Sequence, residues 1–368
     1  LSGEDSYPAD PETEKLEMVE STTWDQRVCS SRLNWEDEMA AEQMKVLQID
    51  AHGGPEVMHL AEVSVPEPGA DEVQVKMEAC GLNFSDIMAR EGRYLRKISL
   101  PHILGHEICG VIEKIGQGVE GWSVGQRVLA TTQSGGGLAE YVVVSETNLM
   151  LCPDELTPPQ GAALLVQGLT SVMMIDNAAS VVAGETVVVH AAAGGVGTLV
   201  VQIARAKGAR VIGTASSNLK CRLIEELGAV AINYSETDWV KEVLALTEGK
   251  GAEVIFESVG GEVLARSYRE ALADFGRLVV YGVASGDVVN FDNYEVLASN
   301  KSLIGFWLGP HLVGHPDRVI AAKQRLVDMV QREEIRLIVE KTFPHERAVD
   351  AFEHLQGRKS MGKVVVTA

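Results

Sequence analysis

The feature that most constrains the fold is a buried strand followed by a glycine-rich turn and a helix, at residues 185–210. Three consecutive valines end at Val189, as in a parallel strand covered on both faces. Ala192, Gly194 and Gly197 then occupy the three positions of the Gly-x-Gly-x-x-Gly fingerprint, with alanine in the first. This spacing predicts a dinucleotide-binding βα unit, and a plain strand-to-helix turn is the alternative.

The helix after this turn is predicted to run from about Gly195 to Lys207. Its first N–H groups have no partner within the helix, and the N-terminus carries a partial positive charge. Both features suit a pyrophosphate. We therefore predict that the backbone of Gly194, Gly195, Val196 and Gly197 binds a dinucleotide.

Strand and helix patterns alternate after the turn, up to about residue 307. This alternation predicts a doubly wound parallel sheet, and ligands bind such sheets at the carboxyl ends of the strands. Two loops at predicted strand ends are therefore candidate cofactor contacts, through Ser258 and Val259 in one and Gly282 and Val283 in the other. Ordinary βα turns are the alternative for both loops.

The cofactor type is predicted from the segment after the second strand. An acidic residue there would bind a ribose 2′-hydroxyl and repel a 2′-phosphate, but residues 209–224 contain no Asp or Glu. Ser216, Lys220 and Arg222 offer a hydroxyl and two cations instead, which suit a phosphate. We predict NADPH, although Lys220 could also be a solvated lysine at a helix start.

The first 43 residues differ from the rest in charge. They contain twelve Asp or Glu against three Lys or Arg, within a chain of 368 residues and net charge −20. We predict a flexible acidic leader, with a docking segment anchored by Trp24 and Trp35 as the alternative. The net charge argues against nucleic acid or an anionic membrane surface as a partner.

The cysteines and the longest apolar run indicate the setting of the protein. The five cysteines are scattered and contain no Cys-x-x-Cys pair, which is typical neither of a disulfide framework nor of a structural zinc site. The run from 162 to 183 is interrupted by Gln167, Asp176 and Asn177, so we predict no membrane span. A cytoplasmic protein is expected. Because the chain begins with Leu1, we also expect processing or excision from a longer chain.

From Met44 onward the pattern changes to short strands separated by turn residues, which predicts a compact, mostly antiparallel domain. Several short motifs in both halves carry more specific information. They are Gly81-Leu-Asn-Phe-Ser-Asp86, Gly105-His-Glu107, Val124-Gly-Gln-Arg-Val128, Ala191-Ala-Ala-Gly-Gly-Val-Gly197, Gly213-Thr-Ala-Ser216, Ile232-Asn-Tyr234 and Gly362-Lys-Val-Val365.

With these motifs the chain, from about Met44 to its end, resembles the zinc-independent quinone oxidoreductase branch of the medium-chain dehydrogenase/reductase superfamily. That branch includes synaptic vesicle membrane protein and polyketide synthase enoyl reductase relatives. The resemblance implies a Rossmann-type doubly wound parallel sheet inserted in a GroES-like, mostly β catalytic domain, and a homodimer. The expected segments are a leader (1–43), the catalytic domain (44–165), the NADPH-binding domain (166–307) and a return to the catalytic domain (308–368).

The resemblance also bears on zinc. Alcohol dehydrogenases of the superfamily hold a catalytic zinc with Cys, His and Cys, and His106 matches the middle ligand. Asn83 and about Val166 stand where the two cysteines would be. One His beside Glu107 is too few for a zinc site, so we expect no metal. His106 is predicted to form a hydrogen bond, with a contact to water or substrate as the alternative.

Four residues receive roles through the resemblance. Asn83 would position the nicotinamide or the substrate carbonyl, and a loop-capping asparagine is the alternative. Thr170 matches a residue that contacts the nicotinamide ribose, Tyr234 one whose hydroxyl reaches the 2′-phosphate, and Lys363 one that lies near the cofactor.

Three aromatic residues are further candidates. Tyr94 matches a tyrosine that lies near the substrate in some relatives and would protonate an enolate, a task that solvent could also perform. Phe306 and Trp307 follow a predicted strand at the expected cleft, where they would flank the nicotinamide. An aromatic core cluster is the alternative for this pair.

The expected chemistry follows from the missing zinc ligands. Reduction of an isolated ketone benefits from a Lewis acid, whereas an enone, quinone or enoyl thioester spreads the charge over an enolate that hydrogen bonds stabilise. We predict an NADPH-dependent reductase of such acceptors. The alternatives are an enoyl reductase domain of a polyketide synthase, acting on substrates presented by an acyl carrier protein, and a non-catalytic NADPH-binding protein with an assembly role.

Overall fold

The computed structural model describes residues 42–132 and 135–368. The predictions for the leader and for its tryptophans, Trp24 and Trp35, concern residues outside this described part.

Sixteen strands are present in the described residues. In chain order they are β1 (Gln43–Ile49), β2 (Met58–Ser64), β3 (Glu72–Gly81), β4 (His102–Ile103), β5 (Glu107–Ile115), β6 (Arg127–Thr131), β7 (Tyr141–Ser145), β8 (Leu149–Leu151), β9 (Thr186–Val189), β10 (Arg210–Ala215), β11 (Val230–Asn233), β12 (Ala252–Glu257), β13 (Leu272–Val280), β14 (Ser302–Gly305), β15 (Val339–Pro344) and β16 (Lys363–Thr367).

Eleven α-helices are present in the same part of the chain, besides short 3₁₀ and π turns. They are α1 (Phe84–Arg90), α2 (Pro158–Gly161), α3 (Leu165–Met173), α4 (Gly195–Ala206), α5 (Asn218–Glu226), α6 (Trp239–Leu246), α7 (Gly261–Arg266), α8 (Asn293–Ser299), α9 (Leu308–Gly314), α10 (Pro316–Gln331) and α11 (Ala348–Gln356).

The catalytic half consists of β1–β8 together with β15, β16 and α11, and it forms two sheets. A three-stranded sheet has the order β2-β1-β4, and a larger sheet has the order β15-β16-β3-β5-β6-β8, with β7 paired to β3. All pairs among β1–β8 are antiparallel, and the longest pair in the larger sheet is that of β3 with β5. Buried side chains of β3, such as Val73, Val75 and Met77, pack in the same core as Phe352 of α11. The predicted mostly β catalytic part is confirmed.

The cofactor half is a six-stranded parallel sheet of order β11-β10-β9-β12-β13-β14. In order of appearance this is 3-2-1-4-5-6, the order of the doubly wound dinucleotide-binding fold. The central strand β9 buries Val187, Val188 and Val189 completely, as a strand covered by helices on both faces requires. The predicted Rossmann-type sheet is confirmed.

The glycine turn is built by close backbone packing. A Cβ on Gly197 would lie 2.4 Å from the carbonyl oxygen of Ala191, so α4 begins directly against the turn. The buried Ala192 takes the first position of the fingerprint, and its Cβ is accommodated because Gly213 of β10 faces it; a Cβ on Gly213 would come within 2.7 Å. Alanine fits at this position because Gly213 on the neighbouring strand has no side chain and leaves room for the Cβ of Ala192.

The chain returns to the first sheet later than residue 308, where the return was predicted. Helix α10 packs on α3 instead: a Cβ on Gly168 would lie 2.7 Å from Leu326 of α10, which is fully buried. Helix α10 therefore belongs to the core of the cofactor half, together with Val319 and Met329. Only at Val339, where β15 begins, does the chain pair with the first sheet.

A buried ion pair of the catalytic half is hydrogen-bonded to the cofactor half. Lys363, at the start of β16, donates from Nζ to Oε1 of Glu107 at 2.6 Å, and both side chains are at most 3% exposed. The other carboxylate oxygen of Glu107 accepts from the backbone N–H of Val166 in α3 at 2.9 Å. One carboxylate thus connects β5, β16 and α3.

We expect Glu107→Gln to lower the free energy of unfolding by ~3–5 kcal/mol, because it leaves the buried Lys363 ammonium without its counter-charge. Adding Lys363→Met should recover part of this loss. Urea denaturation measures both variants. Glu67→Gln, which removes the exposed partner of Lys114, is the control and should leave the midpoint unchanged. A Glu107→Gln midpoint equal to that of wild type would contradict the role of the pair.

Candidate functional site

The glycine turn and the start of β16 lie in direct contact. The backbone N–H of Gly362 donates to the carbonyl of Ala193 at 2.7 Å, and Gly194 and Gly362 form an isolated parallel β-bridge. A Cβ on Gly195 would lie 3.7 Å from the Lys363 side chain. Residues of the catalytic half are therefore held at the predicted pyrophosphate cradle, and we call this boundary between the two halves the cleft.

Asn83 is the centre of a polar network beside this contact. Its Nδ2 donates to the carbonyl of Gly81 at 3.2 Å and to Oε1 of Glu107 at 2.9 Å. Its Oδ1 accepts from Nε2 of Gln167 at 2.6 Å and from Nζ of Lys363 at 3.0 Å. An amide side chain has two donor hydrogens and two acceptor lone pairs, so all four are used inside the protein.

This saturation bears on the predicted role of Asn83. With no hydrogen-bonding capacity left, its amide can act on a ligand only by orienting Gln167 and Lys363. Asn83 is also the N-cap residue of α1, and its backbone N–H donates to Oδ2 of Asp86 at 2.7 Å. This hydrogen bond is made by the Asp86 side chain, and the Asn83 side chain makes no cap hydrogen bond.

Gln167 is a site residue that the sequence analysis did not select. Its Nε2 donates to Asn83 and also to Glu107 at 2.8 Å, whereas its buried Oε1 has no hydrogen-bond partner among the described residues. The Gln167 side chain lies 3.3 Å from the position of a Cβ on Gly195. Because an unpaired buried acceptor is costly, its oxygen suits a donor from a ligand. The sequence feature that could have identified Gln167 is its position as a polar residue inside an apolar helix.

Thr170 lies on the same helix. It follows Gln167 by three residues and so shares its face of α3. Its side chain is mostly buried, with 8% exposed. The next residue, Ser171, donates from its hydroxyl to the carbonyl of Gln167 at 2.7 Å, which steadies this turn of the helix.

His106 forms the hydrogen bond that was predicted. Its Nδ1 bonds to Oδ1 of Asp86, whose side chain is completely buried. Burial lowers the pKa of His106, but the charge of Asp86 and the hydrogen bond to it act in the opposite direction and leave the pKa raised. The imidazole is thus fixed in orientation at the floor of the cleft.

Tyr94 lies between the two halves of the cleft. Its ring centroid is 5.3 Å from that of His106 and 6.1 Å from that of Trp307, which meets it edge to face. Burial raises the pKa of the Tyr94 phenol, although a hydrogen bond to Trp307 acts against this rise. The phenol is therefore protonated at neutral pH and can donate a proton.

The two aromatic residues after β14 separate. Trp307 faces the cleft beside Tyr94, whereas Phe306 is buried and stacks on His311 with centroids 4.8 Å apart. The two side chains separate because consecutive residues in extended backbone point to opposite sides. Phe306 packs in the hydrophobic core of the cofactor half, and a contact of either residue with the nicotinamide stays a prediction.

The predicted 2′-phosphate residues meet at the ends of β10 and β11. The backbone N–H of Tyr234 donates to the carbonyl of Ala215 at 3.0 Å, so Tyr234 lies beside Ser216. Lys220 extends from the first turn of α5 and donates from Nζ to the carbonyl of Arg358 at 2.8 Å. Burial lowers the pKa of Lys220.

Arg222 does not join this group. It is exposed and follows Lys220 by two residues on α5, which places it on the other side of the helix. Arg358, which was not predicted, lies next to Lys220 through its backbone. The cation set at this end of the cleft is therefore Lys220 with Arg358 nearby.

The two predicted strand-end loops pack on each other. The backbone N–H groups of Ala284 and Ser285 donate to the carbonyls of Ser258 and Val259, at 2.9 and 2.7 Å. A Cβ on Gly282 would lie 3.0 Å from Ser258, so these loops approach closely. Gly282 and Val283 thus line the carboxyl ends of β12 and β13 next to Ser258 and Val259.

The described residues also bear on metal binding and on membrane insertion. They contain no group of three or more His, Cys, Asp or Glu side chains arranged to hold a metal ion. None of their helices has the length and apolar character needed to span a membrane.

Comparison with known proteins agrees with this architecture. The family model described as alcohol dehydrogenase GroES-like domain matches residues 69–154, and the model described as zinc-binding dehydrogenase matches residues 195–325. A quinone oxidoreductase of Pseudomonas aeruginosa is 36% identical over 326 residues, covering 88% of this chain and 99% of that protein.

Solved structures give the same result. Escherichia coli quinone oxidoreductase complexed with NADPH has a TM-score of 0.80 and 30% identity, covering 88% of this chain and all of that one. The CurK enoyl reductase has a TM-score of 0.80 and 27% identity, covering 89% of this chain and 99% of that one. The chain is therefore an oxidoreductase that belongs to the quinone oxidoreductase branch of the medium-chain dehydrogenase/reductase superfamily.

Proposed function

We propose that this protein is an NADPH-dependent reductase of activated C=C bonds or quinones. The observation that carries the proposal is the unpaired buried Oε1 of Gln167 beside the glycine turn, at the cleft that also contains Tyr94. An acceptor at this position suits the carboxamide or a ribose hydroxyl of a nicotinamide nucleotide. The E. coli relative complexed with NADPH supports the same cofactor.

The residues at the cleft fit NADPH from end to end. The backbone of Gly194, Gly195, Val196 and Gly197 would hold the pyrophosphate at the start of α4. The other contacts are Ser216, Lys220 and Tyr234 for the 2′-phosphate, Thr170 and Gln167 at the nicotinamide end, and the strand-end residues Ser258, Val259, Gly282 and Val283.

When bound, NADPH supplies hydride. The protein's own residues contribute position and protons. Asn83, Glu107 and Lys363 fix Gln167 in one orientation, so little reorganisation is needed when a ligand binds. Trp307 covers Tyr94 from the side of the cofactor half and limits the access of water.

Tyr94 is the proton donor of this proposal. A reduced enone or enoyl thioester becomes an enolate that must be protonated on carbon. The Tyr94 hydroxyl gives its proton to that carbon, the enolate electron pair forms the new C–H bond, and solvent reprotonates the phenolate. Burial raises the pKa of the phenol, so Tyr94 is protonated before the reaction, and the hydrogen bond to Trp307 lowers the pKa and thus helps the proton to leave.

Enoyl thioesters are a second substrate class, favoured by the CurK enoyl reductase similarity over 89% of this chain. An acyl carrier protein as presenting partner and a homodimer belong to this proposal as expectations from the family. A cytoplasmic setting belongs to it as an expectation from the scattered cysteines.

The first test follows NADPH absorbance with a quinone, a simple enone and crotonyl pantetheine. We expect oxidation of NADPH with at least one of them, because each acceptor spreads the incoming charge by conjugation. A saturated ketone is the control and should remain unreduced. Tight NADPH binding without any turnover would favour the non-catalytic binding protein.

Lys220→Ala should weaken NADPH binding by about tenfold or more while NADH binding changes little, because only NADPH carries the 2′-phosphate. Fluorescence titration of both cofactors measures this difference. Arg222→Ala, on the opposite side of α5, is the matched control and should behave as wild type. Equal losses for both cofactors in Lys220→Ala would refute the phosphate role.

Tyr94→Phe should reduce kcat for enone reduction by roughly 10²-fold, in line with the loss of a general acid. In deuterated water, the wild type should place deuterium on one face of the α-carbon, whereas the variant should place it on both. NMR of the product measures this ratio. Retained stereochemistry in Tyr94→Phe would assign the protonation to another group, because a purely structural residue would change the rate alone.

A further inference from the structure

A cavity of about 290 Å³ borders Tyr94 on the outer side of the catalytic half. Its volume is small for a whole cofactor but sufficient for the terminal group of a substrate. The residues that line it are His52, Gly92, Tyr94, Arg96, Lys97 and Ile98.

The charge of this cavity is unlike that of the chain. Among the residues that the structure describes, its lining contains Arg96, Lys97 and an imidazole but no carboxylate, in a protein whose net charge is −20. Neither Arg96 nor Lys97 forms an ion pair or hydrogen bond with any described residue. The nearby Arg93, in contrast, is paired with Glu91.

The cavity and the candidate active site share one residue, Tyr94. This ring lines the cavity and also contacts His106 and Trp307 in the cleft. The charge of Arg96 already acts on the phenol, since it lowers the pKa of Tyr94 against the larger effect of burial. A substrate whose reducible carbon lies at Tyr94 can therefore extend a second group into the cavity.

We propose that Arg96 and Lys97 bind an anionic group, a carboxylate or a phosphate, on the acceptor that is reduced beside Tyr94. This inference rests on the proposed reductase function and narrows its substrate class. The guanidinium supplies paired donors for the anion and the ammonium a mobile charge. Both side chains are exposed, so the interaction discriminates between substrates without being needed for the fold.

The test uses two pairs of acceptors that differ only in charge. Crotonyl phosphopantetheine and crotonyl pantetheine differ by a phosphate, and 4-oxopent-2-enoate and its methyl ester differ by a carboxylate charge. We expect wild type to prefer the charged member of at least one pair by about tenfold or more in kcat/KM, mainly through KM. Added salt should reduce this preference.

The double variant R96Q/K97Q should lose the preference, which is measured as the ratio of kcat/KM between the charged and neutral members of a pair, so that any change in the acidity of Tyr94 affects both members alike. The control K241Q/K250Q removes the same charge from exposed lysines of the cofactor half and should keep the preference. If wild type prefers the charged member of the thioester pair alone, the bound group is a phosphate. If it prefers the charged member of the oxo-acid pair alone, the bound group is a carboxylate. No preference in wild type, or a preference that survives in R96Q/K97Q, overturns the proposal.

A binding measurement separates this inference from the proposed function. Calorimetric titration with butyryl phosphopantetheine, butyryl pantetheine and levulinate against its methyl ester requires no turnover. If no acceptor is reduced but an anionic compound binds to wild type and not to R96Q/K97Q, the reductase function fails and the anion site stands. Equal binding of charged and neutral compounds overturns the anion site alone.

Discussion

The buried pair of Glu107 and Lys363 is the interaction on which the arrangement of the site depends. Removing two charges from water is expensive, and the pair is stable only because further hydrogen bonds satisfy the remaining atoms. Here the backbone of Val166 and the amides of Asn83 and Gln167 supply those bonds. The partners come from β5, β16, α3 and the N-terminus of α1, so folding both halves is a condition for satisfying the charges. Folding of both halves also places the start of β16 against the glycine turn.

This arrangement separates residues that position from residues that can react. Asn83 has every donor and acceptor engaged, and His106 is fixed by the buried Asp86. The groups left for a ligand are the Oε1 of Gln167, the phenol of Tyr94 and the free N–H groups at the start of α4. In enzymes, electrostatic preorganisation takes this form: hydrogen-bonded groups hold in place the few groups that remain free to bind a ligand.

The sequence correctly predicted the features of the fold that depend on residues close together in the chain. The valines of β9 and the glycine turn gave the parallel sheet, because strand burial and the start of a helix depend on neighbouring residues. The return at Val339 could not be read in this way, since α10 is amphipathic and would suit either half; its place follows from the space above Gly168. The saturation of Asn83 and the open oxygen of Gln167 depend on residues far apart in sequence, and the separation of Phe306 from Trp307 depends on where β14 ends.

The distribution of charge along the cleft completes the argument for an anionic acceptor. The middle contains Glu107 with Lys363 and Asp86 with His106, each a buried acid beside a base. Cations that form no ion pair with a described carboxylate lie at the two ends, Lys220 at one and Arg96 with Lys97 at the other. The Debye length is about 8 Å at physiological salt, so exposed acidic residues farther away than this act only weakly on the exposed Arg96 and Lys97. Anions anchored at both ends would leave the reacting carbon in a middle region where protein charges are already paired.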